Sequence, residues 1–368
     1  MSNESNILKV RHGIVLPYTS DNKGGVCDEN MCFIAESANT ENWFKAGGMY
    51  KQIPSYRGGY NIDNQKVIFV GYFVRHWGHF LMDCLGRSWA LLDERFKDYK
   101  VAYLTRNGQQ IDGNYKRFFE LLGVAERMID VQQPTMFSEV IIPVNLASEE
   151  CHSPLFFEPF RYVGRKVSNS IEVPDKVYFS RLHFSSAKNK EIGERVIQNQ
   201  FERNGFTVMY PEELSLDEQI AVFNKSESVV CVNGTIPLNI MFANRVNTLL
   251  VLNKMSLEHM NLSIVCKECG VEPIYINVYK EPIKGHPRTM GGGPFWMVFN
   301  DDAKKYFDDH GLVYQLPSMY RLELLLEHVL YVFMYIKIKT AHAIRMQLKK
   351  VKVIRQCFYK CRKFLGSR

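Results

Sequence analysis

No stretch of the 368-residue chain reaches the roughly 18 to 20 unbroken apolar residues that a membrane-crossing helix needs. The longest apolar segment, 322–338, is interrupted by Glu327, His328 and Lys337, so a spanning helix is not expected. Residues 1–11 are polar and lack the basic, apolar and small-residue succession of a secretory leader. Cysteines are scattered: the nine thiols, an odd number, form no disulfide framework and fit a reducing cytoplasm. Two closer pairs, Cys27 with Cys32 and Cys266 with Cys269, lack the flanking glycines of a zinc ribbon. They read as reduced buried thiols, with a shared zinc site as the alternative. Acid is absent from one region. Residues 337–368 hold eleven Lys and Arg and no Asp or Glu, and taking those eleven from the whole-chain charge of +7 leaves −4 on the other 336 residues. A nucleic-acid binder carries its cations on a face of the folded body with aromatics between them, so nucleic acid is not an expected partner. No Asp-x-Asp pair stands at an expected strand end, where it would hold a divalent ion.

What remains is an ordinary globular composition, 46% apolar and 23% charged, on a chain long enough for two domains with separate cores. Short apolar runs around Gly24-Gly25 and Gly58-Gly59 predict strands and turns before residue 60. Regular alternation then begins: strand 67–71, helix 77–95 with apolar residues at Phe80, Leu81, Cys84, Leu85, Trp89 and Leu92, strand 101–104, helix 115–122 stopped by Gly123, and strand 140–144. A helical connector, 155–170, leads to a second series. It runs strand 177–180, helix 190–204 closed by Gly205, strand 206–210, helix 215–225 with Ser215 and Glu218 as a capping box, strand 229–232, helix 237–244 and strand 248–252. Alternation through short links implies parallel sheets covered on both faces, and two such halves place ligands in a cleft beyond the carboxyl ends of the strands.

Three constellations stand where such a cleft opens. Asn233-Gly234-Thr235 ends a buried strand; Thr235 or Asn233 can cap the next helix, Pro237 suits its first turn, and free N–H groups with a positive dipole end can receive a diphosphate. Any strand-to-helix turn can also use Asn-Gly. Ser180 and Arg181 end the first strand of the same half, where the planar fork of Arg181 can pair with phosphate oxygens and Lys188 and Lys190 add positive charge. A surface pairing of Arg181 with a nearby acid is the plainer alternative. In the first half, His79, Asp83 and Arg87 recur at i, i+4 and i+8 on one face of the expected helix. An imidazole or carboxylate there can deprotonate an acceptor hydroxyl; a structural ion-pair network, or a metal on His76, His79 and Asp83, are the alternatives.

The tail differs in kind. Ile344, Leu348, Val351 and Phe358 recur at helical spacing among Lys349, Lys350, Lys352, Arg355 and Lys360, the pattern of a basic amphipathic helix lying on an anionic membrane surface. A helix packed back on the body with a solvated basic face is the alternative.

These motifs, in this order over about 67–252, resemble glycosyltransferase family 61, which includes capsular polysaccharide enzymes and eukaryotic xylosyl- and N-acetylglucosaminyltransferases. The resemblance rests on His79, Phe80, Leu81, Asp83, Leu85 and Arg87, and on Tyr178, Ser180 and Arg181. Gly193-Glu194 before Gly205-Phe206 matches half of an Asn-Glu pattern, and the stretch from Pro211 to Ile220 is the most specific agreement. Gly234 and Asn239 keep a turn in which Asn233 stands where the family has His and Ile236 where it has a second Gly. The resemblance implies a GT-B fold, an inverting reaction, a sugar nucleotide held mainly by the second domain, and no obligatory metal or cofactor.

The expected architecture is therefore α/β of GT-B type, with two Rossmann-like domains facing across a cleft. A strand-rich N-terminal domain spans 1–165, a nucleotide-sugar domain 166–320 and a basic amphipathic helical tail 321–368. The expected reaction moves a sugar from a nucleotide diphosphate, a UDP-sugar first, to a hydroxyl of a glycan or lipid-linked glycan in capsule, O-antigen or exopolysaccharide synthesis. Asp83, His79 and Arg87 form the expected catalytic set. Ser180, Arg181, Lys188, Glu212, Asn233, Gly234, Thr235 and Asn239 form the donor-binding set, with Glu212 alternatively a loop acid and Asn239 alternatively a brace. The expected location is cytoplasmic, peripheral at the inner face of a bacterial cell membrane. Rival readings are a non-catalytic nucleotide-binding or scaffold subunit of a membrane polysaccharide-assembly complex and a transferase of a non-sugar group.

Overall fold

The computed structural model describes residues 6–19, 23–39, 58–147, 153–167, 170–188, 190–244, 248–257 and 259–365; the side chains at 107, 186 and 349–365 fall outside it. Three short strands, β1 (Ile7–Arg11), β2 (Ile14–Leu16) and β3 (Gly25–Cys27), precede β4 (Asn61–Phe73), whose last seven residues are all buried. After the single turn α1 (Trp77–His79) come β5 (Lys100–Thr105), α2 (Gly113–Leu121), β6 (Met128–Asp130) and β7 (Thr135–Pro143). The sheet order is β3-β2-β7-β4-β5-β6 with β1 also on β7. β4 runs parallel to β5 and β7, and β1, β2 and β3 join antiparallel. The parallel centre reads as continuous apolar sequence because both its faces are covered.

Beyond α3 (Pro154–Lys166), the second half comprises β8 (Lys176–Phe179), α4 (Ser185–Lys188), β9 (Glu191–Ile192), α5 (Glu194–Arg203), β10 (Thr207–Met209), α6 (Leu216–Lys225), β11 (Ser228–Val232), β12 (Thr248–Asn253), α7 (Met260–Cys269) and β13 (Ile274–Asn277). β10-β8-β11-β12-β13 form a sheet that is parallel throughout. β14 (Tyr279–Lys280) and β15 (Phe295–Met297) make a small third sheet with β9, followed by α8 (Asp301–Asp309) and the long α9 (Tyr320–Leu365). The structure is mixed α/β, as the alternation predicts. The expected capping box on α6 is present, with Ser215 and Glu218 each serving the other's backbone N–H.

One apolar cluster reaches from Ile68 and Phe80 of the first half to Val229 and Phe242 of the second. Phe160 of α3 sits between them, its ring 5.8 Å from Phe118 and 5.6 Å from Phe242. Arg117 of α2 adds a two-pronged ion pair to Asp217 of α6, at 2.7 and 2.9 Å.

Three helices differ from expectation. The predicted helix 77–95 is α1, a π turn (Phe80–Cys84) and two 3₁₀ turns (Ser88–Leu92 and Glu94–Phe96). Every residue from 80 to 91 is buried, so no solvent face exists to impose the 3.6-residue period. The break falls at Gly86, where a Cβ would lie 1.7 Å from Asn145 Oδ1 and where the chain accepts the Leu146 N–H. The predicted helix 190–204 begins only at Glu194, because Glu191 and Ile192 pair with β15. The predicted helix 237–244 is a 3₁₀ segment, Ile236–Phe242.

Candidate active site

The carboxyl edge of the five-stranded sheet gathers polar side chains from four neighbouring strands. Asn233 follows β11, Asn253 ends β12 and Asn277 ends β13; Asn233 Nδ2 donates to Asn253 Oδ1 at 2.8 Å, and Asn253 Nδ2 to Asn277 Oδ1 at 3.0 Å. Asn233 is 1% exposed, yet its Oδ1 has no hydrogen-bond partner among the described residues. A buried amide oxygen of this kind costs stability unless something donates to it. Thr235 makes no capping bond, and no described backbone N–H donates to Asn233 Oδ1, so neither expected cap forms. The short 3₁₀ segment also presents a weaker dipole than the expected α-helix.

Arg181, just past β8, is close to this turn: a Cβ on Gly234 would lie 4.0 Å from its Nη1. Its guanidinium grips Glu191 through Nε and Nη2 at 2.8 and 3.0 Å, with side-chain exposures of 13% and 5%. The buried Lys254, following β12, donates to the same carboxylate at 2.6 Å and lies over the Phe295 ring. Burial alone would raise the Glu191 pKa, but Lys254 and Arg181 outweigh it and hold the group down at about 2. Two cations sharing one carboxylate leave a net positive charge at the strand edge. Arg181 is thus both paired to an acid and set beside the Gly234 turn.

Glu194, the first residue of α5, is buried under this triad and accepts the Arg181 backbone N–H at 2.9 Å and the Tyr178 hydroxyl at 3.3 Å. Burial raises its pKa from 4.5 to about 7, with the neighbouring Glu191 charge adding to the rise. The folded chain therefore holds a proton that the unfolded chain has released between about pH 4.5 and 7, and this group's contribution to stability falls as pH rises through that window. Glu194→Gln keeps an acceptor for Arg181 and removes the titration. It is expected to raise the thermal midpoint at pH 8, the stability gain being on the order of 3 kcal/mol at full extent, and to match wild type near pH 4. Melting curves at the two pH values check this, and equal midpoints at both would refute it. The Glu191 contribution, present above about 4.5 and lost toward 2, is common to both proteins.

The first half meets this edge through α1. A Cβ on Gly78 would lie 2.6 Å from Thr235 Cγ2, so only glycine allows α1 and the turn to approach so closely. Trp77 Nε1 donates to Asn239 Oδ1 at 2.7 Å, and Asn239 Nδ2 donates to Gln219 at 2.9 Å. Asn239 is accordingly a fully buried brace between the halves. Next to it, His79 Nδ1 and Asp83 Oδ2 are 2.6 Å apart, the imidazole 29% exposed and the carboxylate 8%. His76 stands beside them with its ring centre 4.6 Å from that of His79; burial and His79 both lower its pKa.

Arg87 does not share this face. The π turn and the break at Gly86 redirect it, and its fork donates to the carbonyls of Pro143, Glu36 and Ala38 at 2.8 to 3.1 Å. Burial lowers its pKa to about 10. It staples the N-terminal segment to the first sheet. Ser180 is likewise committed, accepting the Leu182 N–H within its own turn at 3.2 Å. Lys188 and Glu212 are exposed, and Glu212 is near enough to Arg181 for its charge to be felt there.

Sequence reasoning missed Glu191, Lys254 and Asn253. The rule that ligands sit beyond the carboxyl ends of parallel strands points to 253–254 once β12 is drawn, but nothing near Glu191 marks it in advance. Among the described residues, no three His, Cys, Asp or Glu side chains gather in a way that could hold a metal ion. Cys27 and Cys266 are buried free thiols whose pKa burial pushes up to about 12.

Residues 77–250, which include α1, the His79–Asp83 pair, Arg181 and the Asn233–Thr235 turn, match the sequence model of the family described as Glycosyltransferase 61. No curated protein matches the chain.

Proposed function

We propose, for a chain that belongs to glycosyltransferase family 61 and is a glycosyltransferase, that it transfers a sugar with inversion from a nucleotide diphosphate to a hydroxyl of a glycan. The observation that carries this reading is the close approach of Gly78 to Thr235, which sets the helical turn that bears His79 beside the Gly234 turn near Arg181. His79 is the exposed member of the pair and Asp83 the buried one, so Asp83 positions the imidazole and His79 receives the acceptor proton. The acceptor oxygen bonds to the anomeric carbon as the bond from that carbon to the phosphate oxygen breaks. The departing diphosphate takes the electron pair and is stabilised by Arg181 and the N–H groups of the Gly234 turn. Asn233 Oδ1, an acceptor, suits an O–H or N–H of the sugar or nucleoside and not a phosphate oxygen.

A UDP-sugar donor, a GT-B arrangement of the two halves, and an acceptor in capsule, O-antigen or exopolysaccharide synthesis complete the proposal, with the enzyme peripheral at the inner face of a bacterial membrane. A binding screen with UDP-, GDP- and CDP-sugars, followed by product analysis of the anomeric configuration, tests it. Binding of none of the three classes, or a retained configuration, refutes it. Turnover is expected to persist in excess EDTA, because Arg181 and backbone N–H groups supply the charge that a divalent ion would otherwise provide. Complete loss of activity restored by manganese would overturn that part of the mechanism.

A further inference from the structure

Helix α9 carries apolar side chains on two opposite sides, and one side is packed on the body. There Tyr331 and Met334 are buried with Trp296 and Val298, Glu327 accepts the Trp296 indole N–H at 2.8 Å, and His328 stacks on the same ring. On the other side Leu322, Leu326, Val329, Leu330, Phe333 and Ile336 are between 45% and 64% exposed, flanked by exposed Leu325 and Val332. At 3.6 residues per turn these eight positions fill an arc of roughly 160° centred opposite Tyr331, along about 21 Å of helix. A helix apolar on both sides is ordinarily buried on both, so this face is built for a cover.

We infer that the face docks on a lipid bilayer carrying anionic headgroups. The inference rests on the peripheral-membrane reading above and names the surface that makes the contact. Charge gives the first argument: immediately past Ile336 the chain enters residues 337–368, with eleven Lys and Arg and no acid, a complement to anionic lipid and a repulsion between two copies. Width gives the second. A two-helix pairing buries a narrow seam and carries charges on its flanks, whereas Leu325, Leu330 and Val332 make those flanks apolar. Length gives the third. No helix among the described residues is long and apolar enough to cross a membrane, and Glu323, Glu327 and Lys337 interrupt this one, so it lies in the headgroup boundary. The contact thus starts upstream of Ile344, where the sequence alone put it; the side chains of Val351 and Phe358 lie outside the described residues.

The test uses the full chain and sedimentation with phosphatidylcholine vesicles, with and without about 30% phosphatidylglycerol. Leu326→Gln with Phe333→Gln removes apolar surface pointing away from the body. Its melting temperature should equal wild type, and its binding should fall at least about tenfold. In about 0.5 M NaCl, wild type should retain a fraction of binding that the double variant lacks. A second variant with Gln at Lys349, Lys350, Lys352 and Arg355 should lose the preference for phosphatidylglycerol and keep the apolar fraction. If the double variant binds like wild type while the charge variant does not bind, the apolar face is not the contact and the basic tail alone carries the membrane reading. If no protein binds vesicles, both fail; a dimer dissociated by Leu326→Gln with Phe333→Gln would then assign the face to a second copy of the chain.

Discussion

Asp83→Asn is expected to lower turnover by about 100-fold or more while leaving affinity for the sugar nucleotide nearly unchanged. The expectation follows from the order of burial. Asp83 is the inner partner, 2.6 Å from His79 Nδ1, and a carboxylate in that place favours the tautomer that carries its hydrogen on Nδ1, which makes Nε2 the nitrogen that takes the acceptor proton. An asparagine of the same shape carries no charge to stabilise the imidazolium. It can also turn its NH₂ toward Nδ1 and fix the opposite tautomer, so that Nε2 holds a hydrogen already. His79→Gln should cost a similar factor, and the double variant little more than either single one, because the two groups act as a unit. Single-turnover transfer with saturating donor, beside equilibrium binding of the same donor, separates the two effects. Undiminished transfer by Asp83→Asn would place the base elsewhere, and parallel loss of binding and turnover would make the pair structural.

The pairing of His79 with Asp83 was legible because it is local. His79 and Asp83 stand four residues apart, and one turn of helix suffices to join them even though the helix expected to continue through Arg87 does not. Arg87 shows where that logic stops. Its partners are the carbonyls of Glu36, Ala38 and Pro143, about fifty residues away on either side, and no spacing rule reaches them. The strands of the second sheet were legible as buried apolar runs, and β11 with its Asn-Gly exit gave the turn. The role of Asn239 was open in the sequence and is decided by Trp77, which lies 162 residues earlier and belongs to the other half. The triad around Glu191 was hidden for a related reason. Glu191 belongs to a two-residue strand too short to show a period, and its cations come from the ends of two different strands. Tail hydrophobicity was visible as composition, but which side of α9 faces the body depends on Trp296, far outside the repeat.

Arg181→Met is expected to weaken binding of both the donor and the free nucleoside diphosphate by roughly tenfold to a hundredfold, the worth of a charge-assisted bond to phosphate. The complication is that Arg181 already holds Glu191, so a loss of function could reflect a damaged fold. Lys254 makes the two outcomes separable. It remains on Glu191 when Arg181 is removed, so the carboxylate is not left as an unpaired buried charge, and the change in stability should be modest. Glu191→Gln works in the reverse direction. It removes the anion that draws on both cations, so Arg181 keeps its full charge for phosphate but loses the partner that aims its fork. Donor affinity should then change less than in Arg181→Met, while the thermal midpoint falls more, because Arg181 and Lys254 are left facing each other without a counter-charge. Isothermal titration with the nucleoside diphosphate and melting curves on both variants measure the two quantities. If Arg181→Met lowers the melting temperature and leaves nucleotide affinity unchanged, Arg181 is a structural partner of Glu191, and the diphosphate must be held by the Gly234 turn without it.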